Sequence, residues 1–261
     1  MLNGSSPAAK DKFILLSEEQ NAAFDTEFHT PEELEAKFVL LEEFSKNKSF
    51  DILDLGGGNG WFVDQLLSRF PKSSATIVDV SALLLAKNKL SDRKELIHGA
   101  IEQISELLGG RTFDYITVNW VFHHLVGNTY QGCWRNCIHV LLQCKTLLRP
   151  EGKLIVAENM FDGYLKSNLP SYIIYGITAI RWPWFVRLAK RFFNTAGVGV
   201  CFHSRRTWQQ MFSEAGFEVA AFQRGLVWWW LGRSFRGIAI NLLFVKSVAH
   251  GHFYLKPKQL R

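Results

Sequence analysis

The sequence of 261 residues lacks several features that would assign it to common protein classes. Its four cysteines form no Cys-x-x-Cys pair, which argues against a zinc ribbon and a disulfide framework. No run of about 20 uncharged apolar residues is present, as a membrane-spanning helix would require. The first twelve residues, MLNGSSPAAKDK, are polar where a signal peptide would be apolar. We therefore expect a cytoplasmic protein with reduced thiols and no bound metal.

Acidic residues are scarce in the second part of the chain. Residues 160–261 hold 14 lysines and arginines but only 3 acidic residues, whereas residues 1–159 hold 16 basic and 21 acidic ones. The overall net charge of +6 therefore hides values of +11 and −5. This asymmetry favours contact between the second part and something anionic, although a solvated basic face explains it equally well.

The clearest pattern in the sequence is DILDLGGGNGWFVDQLLSRF at residues 51–70. A short apolar run, a glycine cluster and apolar residues at helical spacing predict a buried strand, a tight turn and a helix. The glycines allow positive φ and the close approach of a ligand, and the helix N-terminus offers unpaired N–H groups. The dinucleotide fingerprint G-x-G-x-x-G does not fit, because its third glycine would fall on Trp61 or Val63.

The segment contains acid-x-Gly-x-Gly-x-Gly instead, formed by Asp54, Gly56, Gly58 and Gly60. This resembles the first motif of the class I S-adenosylmethionine-dependent methyltransferases, in which the turn wraps the methionine end of the cofactor. The resemblance covers about residues 48–159 and 200–247. It implies S-adenosylmethionine as the cofactor. It also implies an α/β fold with a doubly wound, mainly parallel sheet of seven strands, N-terminal helices and a helical insertion after the fifth strand.

On this basis the chain divides into five segments. They are an N-terminal helical segment (1–47), the cofactor-binding half of the α/β domain (48–159), a helical insertion or lid (160–202), the remainder of the α/β domain (203–250) and a basic tail (251–261). Strands after the first are expected at 75–80, 95–99, 111–119, 154–159, 217–222 and 238–247. Helices are expected at 16–44 with a break at Thr30-Pro31, at 81–90, from 120, at 133–148 and from 204.

The resemblance also implies cofactor contacts. Asp79 ends the second strand, where a doubly wound fold has a ribose-binding carboxylate, and capping of the next helix is the alternative role. Many relatives carry an acid for the adenine amino group after the third strand, but this chain has Ala100, followed by Ile101 and Glu102. We expect the Ala100 backbone and Ile101 to hold adenine, and Glu102 to substitute only if the loop shifts. The expected cofactor-binding set is Asp54, Gly56, Gly57, Gly58, Gly60, Asp79, Val80, Ala100, Ile101 and Asn119.

Two adjacent histidines are candidate catalytic bases. The run Trp120-Val121-Phe122-His123 resembles the Trp-x-x-His run of plant-type O-methyltransferases, whose histidine deprotonates a hydroxyl group. His124 could face the site instead, because adjacent helical positions diverge by about 100°. Histidines satisfied by packing are the structural alternative, and Glu158 and His203 are weaker candidates for the base.

The segment SYIIYGITAIRWPWFVRLAKRFF at 171–193 combines aromatic and basic residues. It predicts a lid over a hydrophobic pocket, an interfacial helix on a membrane or a homodimer surface, and we favour the lid. The expected substrate is a small, largely hydrophobic acceptor for O- or N-methylation, anionic or bound to a carrier protein. No Asn/Asp-Pro-Pro-aromatic run follows the fourth strand, which disfavours a nucleic-acid methyltransferase. A protein that retains the cofactor without methylating remains the other alternative.

Overall fold

The computed structural model describes residues 13–22, 25, 29–46, 48–164, 168–190, 194–227 and 244–259. Its strands are β1 (Asp51–Leu55), β2 (Ser74–Asp79), β3 (Lys94–His98), β4 (Phe113–Asn119), β5 (Leu148–Gly163), β6 (Phe217–Val227) and β7 (Val245–Pro257). They form one sheet in the order β3-β2-β1-β4-β5-β7-β6, in which β7 alone is antiparallel to its neighbours. The predicted seven-stranded, mainly parallel sheet is therefore confirmed.

Helices cover both faces of the sheet. They are α1 (Glu18–Ala22), α2 (Pro31–Ser45), α3 (Trp61–Arg69), α4 (Ala82–Leu85), α5 (Ile104–Leu107), α6 (Tyr130–Leu147), α7 (Leu169–Thr178), α8 (Pro183–Ala189) and α9 (Arg205–Glu214). In β1, Ile52 packs with α2 and α3, whereas Leu53 and Leu55 pack with α5, α6 and α9. Burial on both faces explains why apolar residues occupy the adjacent positions 52 and 53 instead of alternating with polar ones. None of the described helices is long and apolar enough to cross a membrane.

The start of α2 follows the sequence prediction. Thr30 Oγ1 accepts a hydrogen bond from the Glu33 N–H (3.2 Å), and Glu33 Oε2 accepts one from the Thr30 N–H (3.0 Å). Pro31 occupies the first turn, where a missing N–H costs nothing. This reciprocal capping box confirms the predicted helix start and fixes the Glu33 side chain at the N-terminus of α2.

Two helix predictions were wrong. The helix expected over 81–90 is only α4, because Asn88 leaves the helical path and donates to the carbonyl of Gly58 (2.9 Å). The helix expected from Trp120 is a single 3₁₀ turn at Phe122–His124, and α6 begins at Tyr130. Trp120 has a φ of +55°, which no α-helix accommodates.

The last strand extends further along the chain than predicted. It was expected at 238–247, of which residues 238–243 lie outside the described residues, whereas β7 spans Val245–Pro257 and the expected basic tail forms its second half. Phe253, Tyr254 and Leu255 are fully buried there, in register with Val156, Ile155 and Leu154 of β5 respectively. The polar triplet HGH and the nearby lysines obscured this strand in the sequence. The aromatic run LVWWWLGRSF at 226–235 predicts a loop or a strand edge, but residues 228–243 lie outside the described residues.

Because Phe253 belongs to the core and not to a tail, Phe253→Ala should lower the free energy of unfolding by about 3–5 kcal/mol, the usual cost of truncating a buried phenylalanine. Denaturant titration measures this change. Lys256→Ala, three residues later on the exposed side, is the matched control and should change stability by no more than about 0.5 kcal/mol. Equal stability of the two variants would contradict the position of β7.

Candidate functional site

A cavity of about 210 Å³ opens at the carboxyl ends of β1, β2 and β4. Doubly wound sheets bind ligands at this edge, where the strand order reverses. The wall consists of residues before and after α1, the glycine turn after β1, and the segments after β2, β3 and β4. The lining residues are Leu15, Leu16, Asn21, His29, Gly56, Gly57, Gly58, Asn59, Phe62, Asp79, Val80, Leu84, Ile101, Glu102, Asn119, Trp120, Val121, His124 and Leu125.

The glycine turn adopts a conformation that favours glycine at three positions. Gly56, Gly58 and Gly60 have φ angles of +71°, +51° and +74°. A Cβ on Gly56 would collide with the side chain of Val121, and one on Gly60 would collide with Asn88. At Gly58 the nearest atoms to such a Cβ would be Leu84 Cδ1 at 3.6 Å and Asp79 Oδ2 at 4.0 Å, which is ordinary van der Waals contact. Of these three glycines, Gly58 is therefore the one that lines the cavity and could carry a Cβ without a collision.

The Asp79 carboxylate organises the turn and also lines the cavity. Its Oδ2 accepts a hydrogen bond from the Gly58 N–H and its Oδ1 accepts one from the Ser81 N–H, both at 2.8 Å. Burial raises the pKa of Asp79, and these backbone hydrogen bonds oppose the rise. Each carboxylate oxygen has lone pairs for more than one donor. Asp79 can thus hold the turn and still accept hydroxyl groups from a ligand.

Asp54 supports the same turn from inside the protein. It is buried, and its Oδ1 accepts hydrogen bonds from Thr117 Oγ1 (2.6 Å) and Asn119 Nδ2 (3.4 Å). A Cβ on Gly57 would lie 2.5 Å from Asp54 Oδ2, so the turn passes directly over the carboxylate. Asp54 therefore positions Gly57 and Asn119, which both line the cavity.

At the other end of the cavity, the segments after β2 and β3 contribute Val80, Ile101 and Glu102. Ala100 lies one residue before this wall, and its role in holding adenine stays a prediction. Glu102 lines the cavity in the observed loop conformation, although it was expected to do so only after a shift. Burial raises the pKa of Glu102, which favours the protonated form that can donate a hydrogen bond.

The structure separates the candidate bases. His124 lines the cavity, and burial, followed by the neighbouring His123, lowers its pKa well below the usual value. His123 is paired behind it, with Nδ1 2.7 Å from Glu158 Oε2 and the two imidazole centroids 4.0 Å apart. His203 lies in another network, with Nδ1 3.0 Å from the Tyr130 hydroxyl. The two histidines of the Trp-x-x-His-His run thus have different environments.

Two residues of the opposite wall, His29 and Trp120, and the buried Lys37 behind them were not identified as site residues from the sequence. Lys37 is 0% exposed, and its Nζ lies 2.7 Å from His29 Nε2 and donates to Asn119 Oδ1 at 2.7 Å. His29 and Trp120 both line the cavity, with ring centroids 4.6 Å apart. Lys37 interrupts the apolar stripe of α2 and therefore looks like a surface residue in the sequence. His29 precedes the helix, where periodicity gives no signal.

The aromatic and basic insertion contributes α7 and α8. Tyr172, Trp182, Trp184 and Leu188 are exposed there, and the two indole rings stack at 6.1 Å. The cavity wall described above comes from residues before 126, so the lid stays a prediction.

Comparisons with known proteins agree with this geometry. A family model described as a methyltransferase domain matches residues 53–154. A malonyl-[acyl-carrier protein] O-methyltransferase of Priestia megaterium is 34% identical over 113 residues, which are 42% of this chain and 36% of the relative. The chain spans less than half the length of the curated relatives it matches, at 36% to 49%.

Solved structures show the same fold. The mitomycin 7-O-methyltransferase MmcR has a TM-score of 0.52 at 14% identity, covering 92% of this chain and 60% of its own. A Galdieria sulphuraria protein assigned as a sarcosine dimethylglycine methyltransferase has a TM-score of 0.54 at 14% identity, covering 87% and 86%. These likenesses confirm the predicted fold. The match of residues 53–154 to a methyltransferase domain, together with the glycine turn, confirms the rest of the prediction: this segment is a class I S-adenosylmethionine-dependent methyltransferase domain, and S-adenosylmethionine is its cofactor.

The residues of the cavity fit that cofactor. The open side of Gly58 leaves room for a ligand backbone, and the remaining lone pairs of Asp79 suit a ribose diol. Val80 and Ile101 provide an apolar surface for a flat base. Asn119, at the end of β4, lies beside the part of the cavity that His124 and Trp120 line.

Gly58→Val should abolish binding of S-adenosylhomocysteine, because its side chain would project into the cavity. Isothermal titration calorimetry measures the affinity. Gly109→Val is the matched control, since Gly109 has a similar φ of +55° and no atom within 4 Å of an added Cβ. It should bind like the parent, and loss of binding in both variants would indicate a folding defect instead.

Asp79→Ala should weaken the same binding by about 1.5–3 kcal/mol, roughly 10- to 150-fold in Kd, the scale of hydrogen bonds to a charged group. Parent-like affinity would restrict Asp79 to its structural hydrogen bonds with Gly58 and Ser81.

Proposed function

We propose that this protein transfers the methyl group of S-adenosylmethionine to an oxygen atom of a small, largely hydrophobic, anionic acceptor held on a carrier protein. The observation that carries this proposal is the shared cavity, in which the cofactor residues and an apolar wall with a neutral imidazole lie side by side. The O-methyltransferase names of the curated relatives support oxygen as the acceptor atom and a carrier as its delivery. A cytoplasmic location is part of the same proposal.

The apolar wall suits a hydrophobic acceptor. Val121 and Leu125 follow β4, and Leu15 and Leu16 come from the segment before α1. Water excluded by such a wall strengthens every electrostatic interaction inside the site. An acceptor chain or ring would gain stability by burying apolar surface against these side chains.

Methyl transfer requires the nucleophile, the methyl carbon and the leaving sulfur in a line, so positioning is the main task of the protein. When bound, S-adenosylmethionine supplies an electrophilic methyl group on a positively charged sulfur. Asn119 is suited to fix that end of the cavity, because Lys37 donates to its Oδ1 while its Nδ2 donates to Asp54. With both ends of the amide engaged, the side chain keeps one orientation.

His124 is the proposed proton acceptor for a hydroxyl acceptor. Its lowered pKa keeps the imidazole neutral at pH 7, which is the protonation state that a general base needs. The hydrogen bond between His123 and Glu158 fixes the neighbouring ring, against which His124 packs. A carboxylate acceptor is already ionised and needs no base. A loss of rate on removal of the His124 imidazole would therefore indicate a hydroxyl acceptor.

The exposed surface of α7 and α8 suits an acidic carrier protein. Trp182 and Trp184 provide aromatic area, and Arg187 and Lys190 contribute positive charge within the basic part of the chain. Complementary charge of this kind directs an acidic partner to the surface and fixes its orientation.

The test is to incubate the protein with methyl-labelled S-adenosylmethionine and three acceptor classes: acyl and malonyl thioesters on a carrier protein, the corresponding free acids and hydroxy acids, and RNA. We expect label on the carrier-bound acceptors and less on the free acids. Parallel reactions with Gly58→Val measure the background. Label on RNA, or no transfer despite measured cofactor binding, would contradict the proposed acceptor and favour a nucleic-acid enzyme or a non-methylating protein.

His124→Gln should lower kcat on a hydroxyl acceptor by about 10²- to 10⁴-fold, the usual contribution of a general base, and leave the affinity for S-adenosylhomocysteine unchanged. Because the pKa of His124 is lowered, the parent rate should stay constant from pH 7 upward and fall only well below pH 6.5. His139→Gln, an exposed change on α6, is the control. Unchanged turnover in His124→Gln would remove this residue from the chemistry.

A further inference from the structure

Three buried metal-ligating side chains meet beside the cavity, behind Trp120. Glu33, His250 and His252 are 7%, 3% and 1% exposed. Glu33 Oε1 lies 2.9 Å from His250 Nδ1 and 3.5 Å from His252 Nε2. All three potential ligand atoms lie within 4.8 Å of one another. Sequence analysis did not predict this group, because Glu33 and His252 are 219 residues apart in the chain.

The fold fixes each member of the group independently. Glu33 is held at the start of α2 by its capping box with Thr30. His250 and His252 are two residues apart on β7 and therefore point to the same face of the sheet. The neighbouring strand β6 has Gly225 here, where a Cβ would collide with Glu33 Oε1 and lie 3.0 Å from His252 Nε2. The space around the three ligand atoms thus depends on a glycine.

His252 is poorly satisfied within the protein. In the part of the chain that the structure describes, its Nδ1 has no hydrogen-bond partner, and the polar contact of its Nε2 is the long approach of 3.5 Å to Glu33 Oε1. Leaving a buried polar group in this state costs about 1–3 kcal/mol. Such a group in a native protein calls for a specific reason, and an ion is one of the common reasons.

The donor set suits a cation. Two imidazoles and one carboxylate bring three potential ligand atoms together, and Glu33 Oε1 also accepts the N–H of Leu226 at 2.7 Å, which holds the carboxylate in place. An unprotonated imidazole nitrogen and an ionised carboxylate are the forms that bind metals.

We propose that Glu33, His250 and His252 form a site for one divalent transition-metal ion of the Zn²⁺ or Fe²⁺ class. Two imidazoles and one carboxylate favour these ions over Mg²⁺ and Ca²⁺, which prefer oxygen ligands. Bond lengths of about 2.0–2.1 Å imply ligand separations of about 3.3–3.4 Å around a tetrahedral ion, and the observed 2.9 and 3.5 Å bracket that value. In the structure, His250 Nδ1 and Glu33 Oε1 are joined directly.

Metal binding replaces that direct contact. His250 must present an unprotonated Nδ1 to the ion, with its remaining ring proton on Nε2. Three protein ligands leave at least one coordination position for water or a substrate oxygen. The cavity is adjacent, since Trp120 and His29 line it and their rings lie 5.1 Å from His250 and 6.2 Å from His252 respectively. The site does not depend on methyl transfer and can be tested without any acceptor.

The test is to treat the full-length protein with a chelator, remove the chelator, and add Zn²⁺ or Co²⁺. Elemental analysis after gel filtration should give one ion per chain, and Co²⁺ should produce the visible absorption bands of a low-symmetry site. Zn²⁺ should also raise the melting temperature, because it binds the folded state, whereas Mg²⁺ should not. His252→Asn should lose the ion and the Co²⁺ bands. His139→Asn, at an exposed position of α6, should retain both.

His252→Asn is the decisive variant, because the polar contact that it removes is only the long approach of 3.5 Å to Glu33. Circular dichroism and binding of S-adenosylhomocysteine verify its fold. Glu33→Gln adds a second ligand test, although it also weakens the cap of α2. Failure of the parent protein to bind Zn²⁺ or Co²⁺, or full metal retention in folded His252→Asn, would overturn the proposal and identify the group as a structural link between α2 and β7. Neither result bears on methyl transfer, which the labelling experiment measures separately.

Discussion

The hydrogen bond from the Gly58 N–H to the Asp79 carboxylate joins the turn after β1 to the end of β2. The other oxygen of the same carboxylate accepts from Ser81, where α4 begins. One side chain therefore fixes the relative positions of a strained turn and the neighbouring strand–helix junction. The cavity between them has its shape because Asp54 supports the turn from below and Asp79 holds it from the side. These two carboxylates therefore stabilise the backbone conformation in which the glycines have positive φ.

The remaining walls come from distant parts of the chain. Glu33 on α2 contacts His250 on β7, which is 217 residues away in the sequence, and also accepts the N–H of Leu226 on β6. Lys37, one helical turn after Glu33, reaches Asn119 at the end of β4. The helix thus connects the central strand β4 to the antiparallel part of the sheet. This connection encloses the side of the cavity that Asn119 and Trp120 line, while the glycine turn encloses the other side.

Features that depend on residues close together in the chain could be predicted from the sequence, and features that depend on distant contacts could not. The Asp-x-Gly-x-Gly-x-Gly turn, the strand that precedes it and the cap at Thr30 all depend on residues close together in the chain, and sequence analysis identified each of them. The second half of β7 depends on pairing with β5, so its histidines and lysines concealed it. Which histidine lines the cavity depends on a 3₁₀ turn after the left-handed Trp120, and helical periodicity could not anticipate that. Lys37 is buried by contacts from three separate segments, and no local pattern signals such an environment.

The strand order has a consequence for the synthesis of the protein. β7 lies between β5 and β6 and hydrogen-bonds to both, yet the ribosome makes it after both. The first five strands can assemble while the chain is still emerging, because each has a neighbour that is already made. β6 leaves the ribosome with no partner strand and must wait for β7 to insert beside β5. Until that insertion, β5 and β6 expose unpaired edges, so this interval is when the nascent chain is most prone to aggregation and most dependent on chaperones.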